Sequence, residues 1–118
     1  MHKLMILIEP PPDSAAFDDS WPQFLHLAER MPGLRRETTS RVERLLYGRS
    51  GYFLIHELYF DSWAALQEAM GCAVGREAGE LLQRMSGGRL TLLLADHKED
   101  ELENIRQHSL PEKSSLPD

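Results

Sequence analysis

The sequence predicts an α+β domain in which strands and helices alternate as β-α-β-β-α-β. Three observations carry that expectation. Apolar runs of strand length stand near the two ends of the domain, "LMILI" at the N-terminus and "LTLLLA" around residue 92. Between them, two segments change to a helical period. Two further strand-like segments flank "GRSG", a hairpin signal.

Taken in order, "KLMILIE" at 3–9 is short, apolar and stopped by Pro10, Pro11 and Pro12, which marks a buried strand. From Asp13 the period becomes helical: Phe17, Trp21, Phe24, Ala28 and Met31 form one apolar stripe, flanked by Leu25 and Leu27. Pro22 falls inside this stripe, so the regular helix is expected to begin there or just before, with Ser20 as N-cap and a loop preceding it. Pro32 and Gly33 end the helix in the stretch "MPGLRR". Residues 34–47, "LRRETTSRVERLLY", read as a long polar strand of the kind found at a sheet edge. Arg35 and Arg36 at its start should point to opposite faces.

"YFLIHELYF" at 52–60 is a strand with large side chains on both faces. "DSWAALQEAMG" then opens a helix, with Asp61 or Ser62 as cap and Trp63, Leu66 and Met70 as its apolar side. Gly71 and Gly75 interrupt it before a second amphipathic piece, Ala78, Leu81, Leu82 and Met85. Trp21, Trp63 and the methionines stand at helical spacing and are expected in the core. Gly87 and Gly88 break the chain before the last strand, residues 89–96. The domain is thus expected over 1–97. The tail, 98–118, is charged and compatible with a short helix around Leu102 and Ile105 followed by disorder.

The totals narrow the function classes. With 118 residues the chain is one domain. A net charge of −6 argues against nucleic acid and anionic membranes as partners. No apolar run approaches the roughly 20 residues of a spanning helix, and the N-terminal block lacks a small-residue cleavage site. With a single cysteine, Cys72, the expected compartment is the cytoplasm. Cofactor and catalytic signatures are missing, so no cofactor is expected. The antiparallel first and last strands should bring His2 and His97 near one another, but two imidazoles without a third ligand make a weak metal site, and none is expected.

Right-handed crossovers put both helical regions on one face of a four-stranded antiparallel sheet. The three apolar strands nevertheless carry large side chains on both faces. A lone subunit would leave several of these wet, each forgoing roughly 1.5–3 kcal/mol. A homodimer packed sheet to sheet is the simplest cover.

The order of elements together with "MPGLRR", "HELYFDSWAALQEAM" and "GGRLTLLLAD" resembles the EthD family of the dimeric α+β barrel superfamily, over about residues 3–97. The resemblance implies a ferredoxin-like subunit whose sheet pairs with a partner's into a barrel. Relatives include proteins linked to ether degradation, and neighbouring barrels include cofactor-free monooxygenases and isomerases. Members often carry a histidine eight residues before the proline of the Pro-Gly pair. That position is Phe24 here, and His26 is turned by about 200° to the opposite side of the helix.

Candidate chemistry centres on the third strand. Glu57 and Tyr59 share a face with Phe53 and Ile55. In an apolar cleft Glu57 would have a raised pKa and could accept a proton, with Tyr59 orienting a substrate oxygen. Alternatively Glu57 pairs with Arg36 or Arg41 of the neighbouring strand. His56 points the other way, as a core histidine under a helix; with the facing inverted, it becomes the cleft base. Arg36 could neutralise Glu57 or an acidic ligand, and Glu9 could reach the cleft mouth. Two functions remain open: a cofactor-independent oxidation, isomerisation or proton abstraction at Glu57, Tyr59 and His56, or a non-catalytic ligand-binding or accessory dimer.

Overall fold

A computed structural model describes residues 1–49, 51–100 and 102. Its elements are β1 (His2–Ile8), α1 (Ser14–Glu29), β2 (Leu34–Arg41), β3 (Leu54–Phe60), α2 (Trp63–Gly71), α3 (Ala73–Ser86) and β4 (Leu90–Asp96). The sheet order is β2-β3-β1-β4, every pair antiparallel. This is the expected ferredoxin-like α+β arrangement, with polar β2 at one edge and apolar β4 at the other. The tail helix expected around Ile105 lies outside the described residues.

The helices lie on one face because one stripe of each is apolar. Phe17, Phe24 and Ala28 of α1, Leu66 and Ala69 of α2, and Ala78, Leu81, Leu82 and Met85 of α3 are buried against Leu4, Ile6, Ile8, Leu54, Leu58 and Phe60. Gly87 closes α3 in the left-handed conformation, φ 64°, which a residue without Cβ adopts at no steric cost. Between α2 and α3 the chain turns at Cys72, whose Sγ accepts from the Gly75 amide at 3.4 Å. A Cβ on Gly75 would collide with the Ala69 carbonyl, so this turn requires glycine.

Four local expectations are corrected. First, α1 begins at Ser14, eight residues before Pro22, with Asp13 rather than Ser20 as N-cap: its carboxylate accepts from the Ala16 amide at 3.1 Å. Pro22 is exposed, so water can reach the carbonyl it leaves unbonded, and the stacked rings of Phe17, Trp21 and Phe24, 5.3–5.6 Å apart, tie the helix together across it. Second, β2 ends at Arg41 and β3 starts at Leu54; beyond the Val42 amide's bond to the Phe53 carbonyl, residues 43–47 have no strand partner. Third, Trp63 and Met70 are exposed: α2 turns Leu66 inward as expected, but with Ala69 beside it rather than those two; Trp63 packs edge-on against His2, and Trp21 is half-buried. Fourth, the sheet separates His2 and His97. His97 lies on Tyr59, on the face opposite the helices.

The strand register arranges the uncovered face as three rows running β4-β1-β3-β2. They are Ala95, Lys3, Tyr59 and Arg36; Leu93, Met5, Glu57 and Thr38; and Thr91, Leu7, Ile55 and Ser40. A bulge between Leu34 and Arg36 leaves Arg35 as the extra residue, and it pairs outward with Asp61 at 3.2 Å. Replacing Leu66 by Ala should cost about 2–5 kcal/mol in urea unfolding. Trp63→Ala should cost about 1 kcal/mol or less, since that ring is largely wet.

Candidate functional site

Glu57 is the centre of a polar cluster on the uncovered face. Its Oε2 accepts from Lys3 Nζ at 3.0 Å, and its Oε1 accepts from Tyr59 OH at 2.9 Å and Thr38 Oγ1 at 3.4 Å. The register explains the set: Thr38 is the direct cross-strand partner of Glu57, Lys3 that of Tyr59, and Tyr59 stands two residues along the same strand face. Burial pushes the Glu57 pKa up, but donation from Lys3 and Tyr59, with the lysine charge, outweighs it and leaves the group below its ordinary 4.5. The cation beside Glu57 is therefore Lys3, not the Arg36 or Arg41 expected as its partner. Arg41 lies on the helix-side face, because its partner is Leu54.

Tyr59 is 3% exposed although helices do not cover it. Arg36 lies 4.4 Å over its ring, and His97 packs edge-on at 4.8 Å. Glu99 joins the cover, 3.2 Å from Arg36 and 3.0 Å from His97 Nε2. Hydrogen bonding from His97 and the charge of Arg36 hold Glu99 below the usual carboxylate range. Arg36 thus acts on the cluster through the tyrosine ring and not by neutralising Glu57.

His56, on the opposite face, is fully buried between Trp21 at 5.1 Å and Phe24 at 5.9 Å. Its Nε2 lies 2.9 Å from Glu37 Oε2, and its Nδ1 lies 2.8 Å from Thr39 Oγ1. A carboxylate only accepts, so Nε2 carries the proton, and in the neutral ring Nδ1 must accept from the Thr39 hydroxyl. Desolvation lowers the His56 pKa against the opposing pull of Glu37. The imidazole is a satisfied core group aimed at the β2 edge.

The sequence-predicted residues therefore divide. Glu57 and Tyr59 come together, with Ile55 one row away and Arg36 over the tyrosine. His56 lies on the other face. Phe53 was expected beside Ile55 but precedes β3, and its ring turns to the helix side, edge-on to Phe17 at 5.6 Å and under Arg41 at 5.5 Å. Glu9, at the other end of β1 from Lys3, adjoins Arg89 at 3.7 Å and does not reach the cluster. Sequence reasoning missed Lys3, Thr38, Glu37, Thr39, His97 and Glu99 as partners. The usable signal was Lys3, a cation opening an apolar strand that must be adjacent to β3 in this topology. Among the described residues, no group of three His, Cys, Asp or Glu side chains could hold a metal ion.

Comparison with known proteins agrees with this architecture. The chain has a TM-score of 0.76 and 32% identity to an ethyl tert-butyl ether (EthD) family protein of Bacillus halodurans C-125, covering 83% of this chain and 99% of that one. The chain belongs to the EthD family. An EthD assignment also fits its 24% identity to an uncharacterized 11.0 kDa protein of Rhodococcus erythropolis from the thcB-thcC intergenic region, over 83% of this chain and 96% of that protein. No family model matches the sequence. The EthD fold is shared with a dimeric ferredoxin-like protein of unknown function from Jannaschia sp. CCS1 (TM-score 0.64, 15% identity, 81% and 98% coverage). It is also shared with SnoaB, a cofactor-independent oxygenase of Streptomyces nogalater (0.58, 16%, 86% and 94%).

The buried histidine of this EthD chain sets a pH test. Above pH 6.5 His56 is neutral both folded and unfolded. Below its ordinary value of 6.5 the unfolded chain takes up a proton that the folded one resists, so stability falls as the pH drops from there. Glu57, also lowered, is charged in both states above 4.5, and its contribution is lost only as the pH falls below that value. Urea unfolding should therefore show a decline beginning near pH 6.5 that is absent from His56→Leu. Equal slopes for the two proteins between pH 6.5 and 5 would refute the assignment.

Proposed function

We propose that this EthD-family protein acts as a homodimer, its two uncovered sheet faces packed together, and binds a small, largely apolar organic molecule in the chamber between them. The observation that carries this reading is the uncovered face itself. Met5, Leu7 and Ile55 occupy its middle with only partial burial, and Leu93 at its β4 edge is 46% exposed. The apolar surface continues past β3 into the loop after β2, where Leu46 is 88% and Tyr47 96% exposed beside Ile55 and Tyr52. Apolar area of this extent is characteristic of an interface. The Jannaschia protein of the same fold is described as dimeric.

Within the chamber Met5, Leu7, Ile55 and Leu93 supply the apolar lining, and the Lys3–Glu57 pair supplies one fixed polar end. SnoaB, which shares the fold, is described as a cofactor-independent oxygenase. Glu57 here is a poor candidate for the corresponding proton abstraction. A carboxylate that already accepts three hydrogen bonds and lies below its ordinary pKa has little driving force to take a proton. Tyr59 is closed off by Arg36 and His97, so it positions Glu57 rather than meeting a ligand. These contacts favour the ligand-binding or accessory reading over catalysis. The working compartment fits the reducing cytoplasm, since the lone Cys72 has no second thiol to pair with.

Sedimentation velocity of the full chain should give a dimer, and Leu7→Glu or Leu93→Glu should shift it to monomer while far-UV circular dichroism is unchanged. A single subunit at every concentration of the unsubstituted protein would end the proposal. Native mass spectrometry of the dimer against small ethers and alcohols should show adducts that Ile55→Trp, which fills the chamber, removes.

A further inference from the structure

We infer that Arg36 and His97 form a carboxylate-binding site at the polar end of the uncovered face, and that Glu99 is its tethered occupant, displaced when a ligand carboxylate arrives. The inference rests on the chamber proposed above and narrows its ligand to small apolar carboxylic acids. The sheet brings the parts together from three strands. Tyr59 of β3 is the floor and is 3% exposed; Arg36 of β2 lies 4.4 Å over its ring, and His97, just past β4, meets it edge-on at 4.8 Å. Cation and imidazole converge on one atom, Glu99 Oε1, at 3.2 Å from Arg36 Nη2 and 3.0 Å from His97 Nε2.

Two features mark Glu99 as a replaceable group rather than a structural pin. First, the segment past β4 is lightly fastened. The His97 amide donates to the Met1 carbonyl at 2.7 Å, and among the described residues no backbone hydrogen bond holds residues 98–100 beyond it. The Glu99 side chain is 58% exposed, so its pair with Arg36 is of the weak surface kind. Second, the pairing is incomplete. Arg36 gives one nitrogen to one oxygen, and Glu99 Oε2 has no partner among the described residues. A guanidinium binds a carboxylate best as a fork to both oxygens, an alignment open to a free acid. A tethered group acts at an effective concentration on the order of millimolar, so a free acid needs an advantage beyond its charge. The face supplies one. Met5 is the diagonal neighbour of Tyr59, a spacing of roughly 7–8 Å. A carboxylate held by Arg36 thus directs an attached ring or branched chain towards Met5, where the apolar part of the face begins, and burial of that body favours the ligand over Glu99.

The test uses the full chain with benzoate as probe and neutral benzamide as control, read by NMR of the Met5 methyl and His97 imidazole signals. Benzoate should shift both signals saturably, with a Kd on the order of millimolar for so small a molecule. Glu99→Ala should tighten benzoate about two- to fivefold, the strength of an exposed ion pair, and leave benzamide unchanged. Arg36→Met should weaken benzoate roughly tenfold, the loss of a charge-assisted hydrogen bond. Arg36→Lys, which keeps the charge and loses the fork, should fall between, and circular dichroism checks that each variant is folded. Benzoate binding unchanged by Glu99→Ala, benzamide bound as tightly as benzoate, or no benzoate shift at His97 in either protein would overturn the inference. So would a double variant, Arg36→Met with Glu99→Ala, that binds benzoate as tightly as Glu99→Ala alone. Sedimentation of the unsubstituted chain judges the chamber separately. A dimer that ignores benzoate ends the carboxylate site alone, and a monomer that binds benzoate at His97 ends the chamber alone.

Discussion

The register of β1 against β3 is the constraint on which the rest of the molecule depends. Pairing Met5 with Glu57 and Ile6 with His56 sends Leu4, Ile6 and Ile8 under the helices and leaves Lys3 beside the carboxylate. A slip of one residue would exchange the faces of a whole strand. Glu57 would then enter the core without Lys3, and burying an unpaired carboxylate costs several kcal/mol. Lys3 is the one lysine or arginine of β1, so only this register sets it beside Glu57 while His56 stays on the helix side. The positions of α1, α2 and α3 follow from that choice, since they cover the face that carries Leu4, Ile6, Ile8, Leu54, Leu58 and Phe60.

Polarity in the sheet is graded from edge to edge. Strand β2 offers hydrogen-bonding or charged side chains on both faces, and each polar residue of β3 meets a partner from it on its own side. Glu37 and Thr39 take the two nitrogens of His56, Thr38 reaches Glu57, and Arg36 covers Tyr59. At the opposite edge β4 presents leucines to both faces, and 44–48% of the area of Leu92, Leu93 and Leu94 remains exposed. Such buried polar sets add little net stability compared with well-packed apolar groups, but they penalise every wrong pairing. In this sheet they fix the edge strand β2 against β3.

This grading explains what could be read from the residues alone. The order of elements, the edge position of β2 and the opposite facing of His56 and Glu57 follow from period and polarity, which are local properties. The start of α1 was misplaced because the cost of Pro22 was weighed without the ring stack of Phe17, Trp21 and Phe24, visible only once the helix is formed. The length of β2 depended on where β3 begins, a matter of pairing rather than propensity. Phe53 lies just before β3 begins, so alternation no longer governs it. Helical spacing alone groups Trp63 and Met70 with Leu66 on α2, whereas the smaller Ala69 allows the close approach. At the candidate site, Glu57 with Tyr59 was legible, but its cation was not. Lys3 and the two arginines are equivalent in composition, and only the register of three strands distinguishes them.

His56 and Glu57, adjacent in sequence, show how one sheet keeps two chemistries apart. Desolvation holds the imidazole neutral, and three donors hold the carboxylate charged, so near neutral pH neither changes state readily. Both polar centres belong to the β2–β3 half and are occupied by partners within the chain. The uncovered apolar surface runs from Leu93 of β4 through Met5 and Leu7 of β1 to Ile55 of β3. Among the described residues β4 is bonded to β1 alone, and its alternate residues, Leu92 and Leu93, face the helix side and the uncovered face respectively. An edge strand held on one side is the part of a sheet that adjusts most easily. Packing on either face of β4 therefore bears on the other through a single layer of backbone, while the polar half stays fixed as the reference for both.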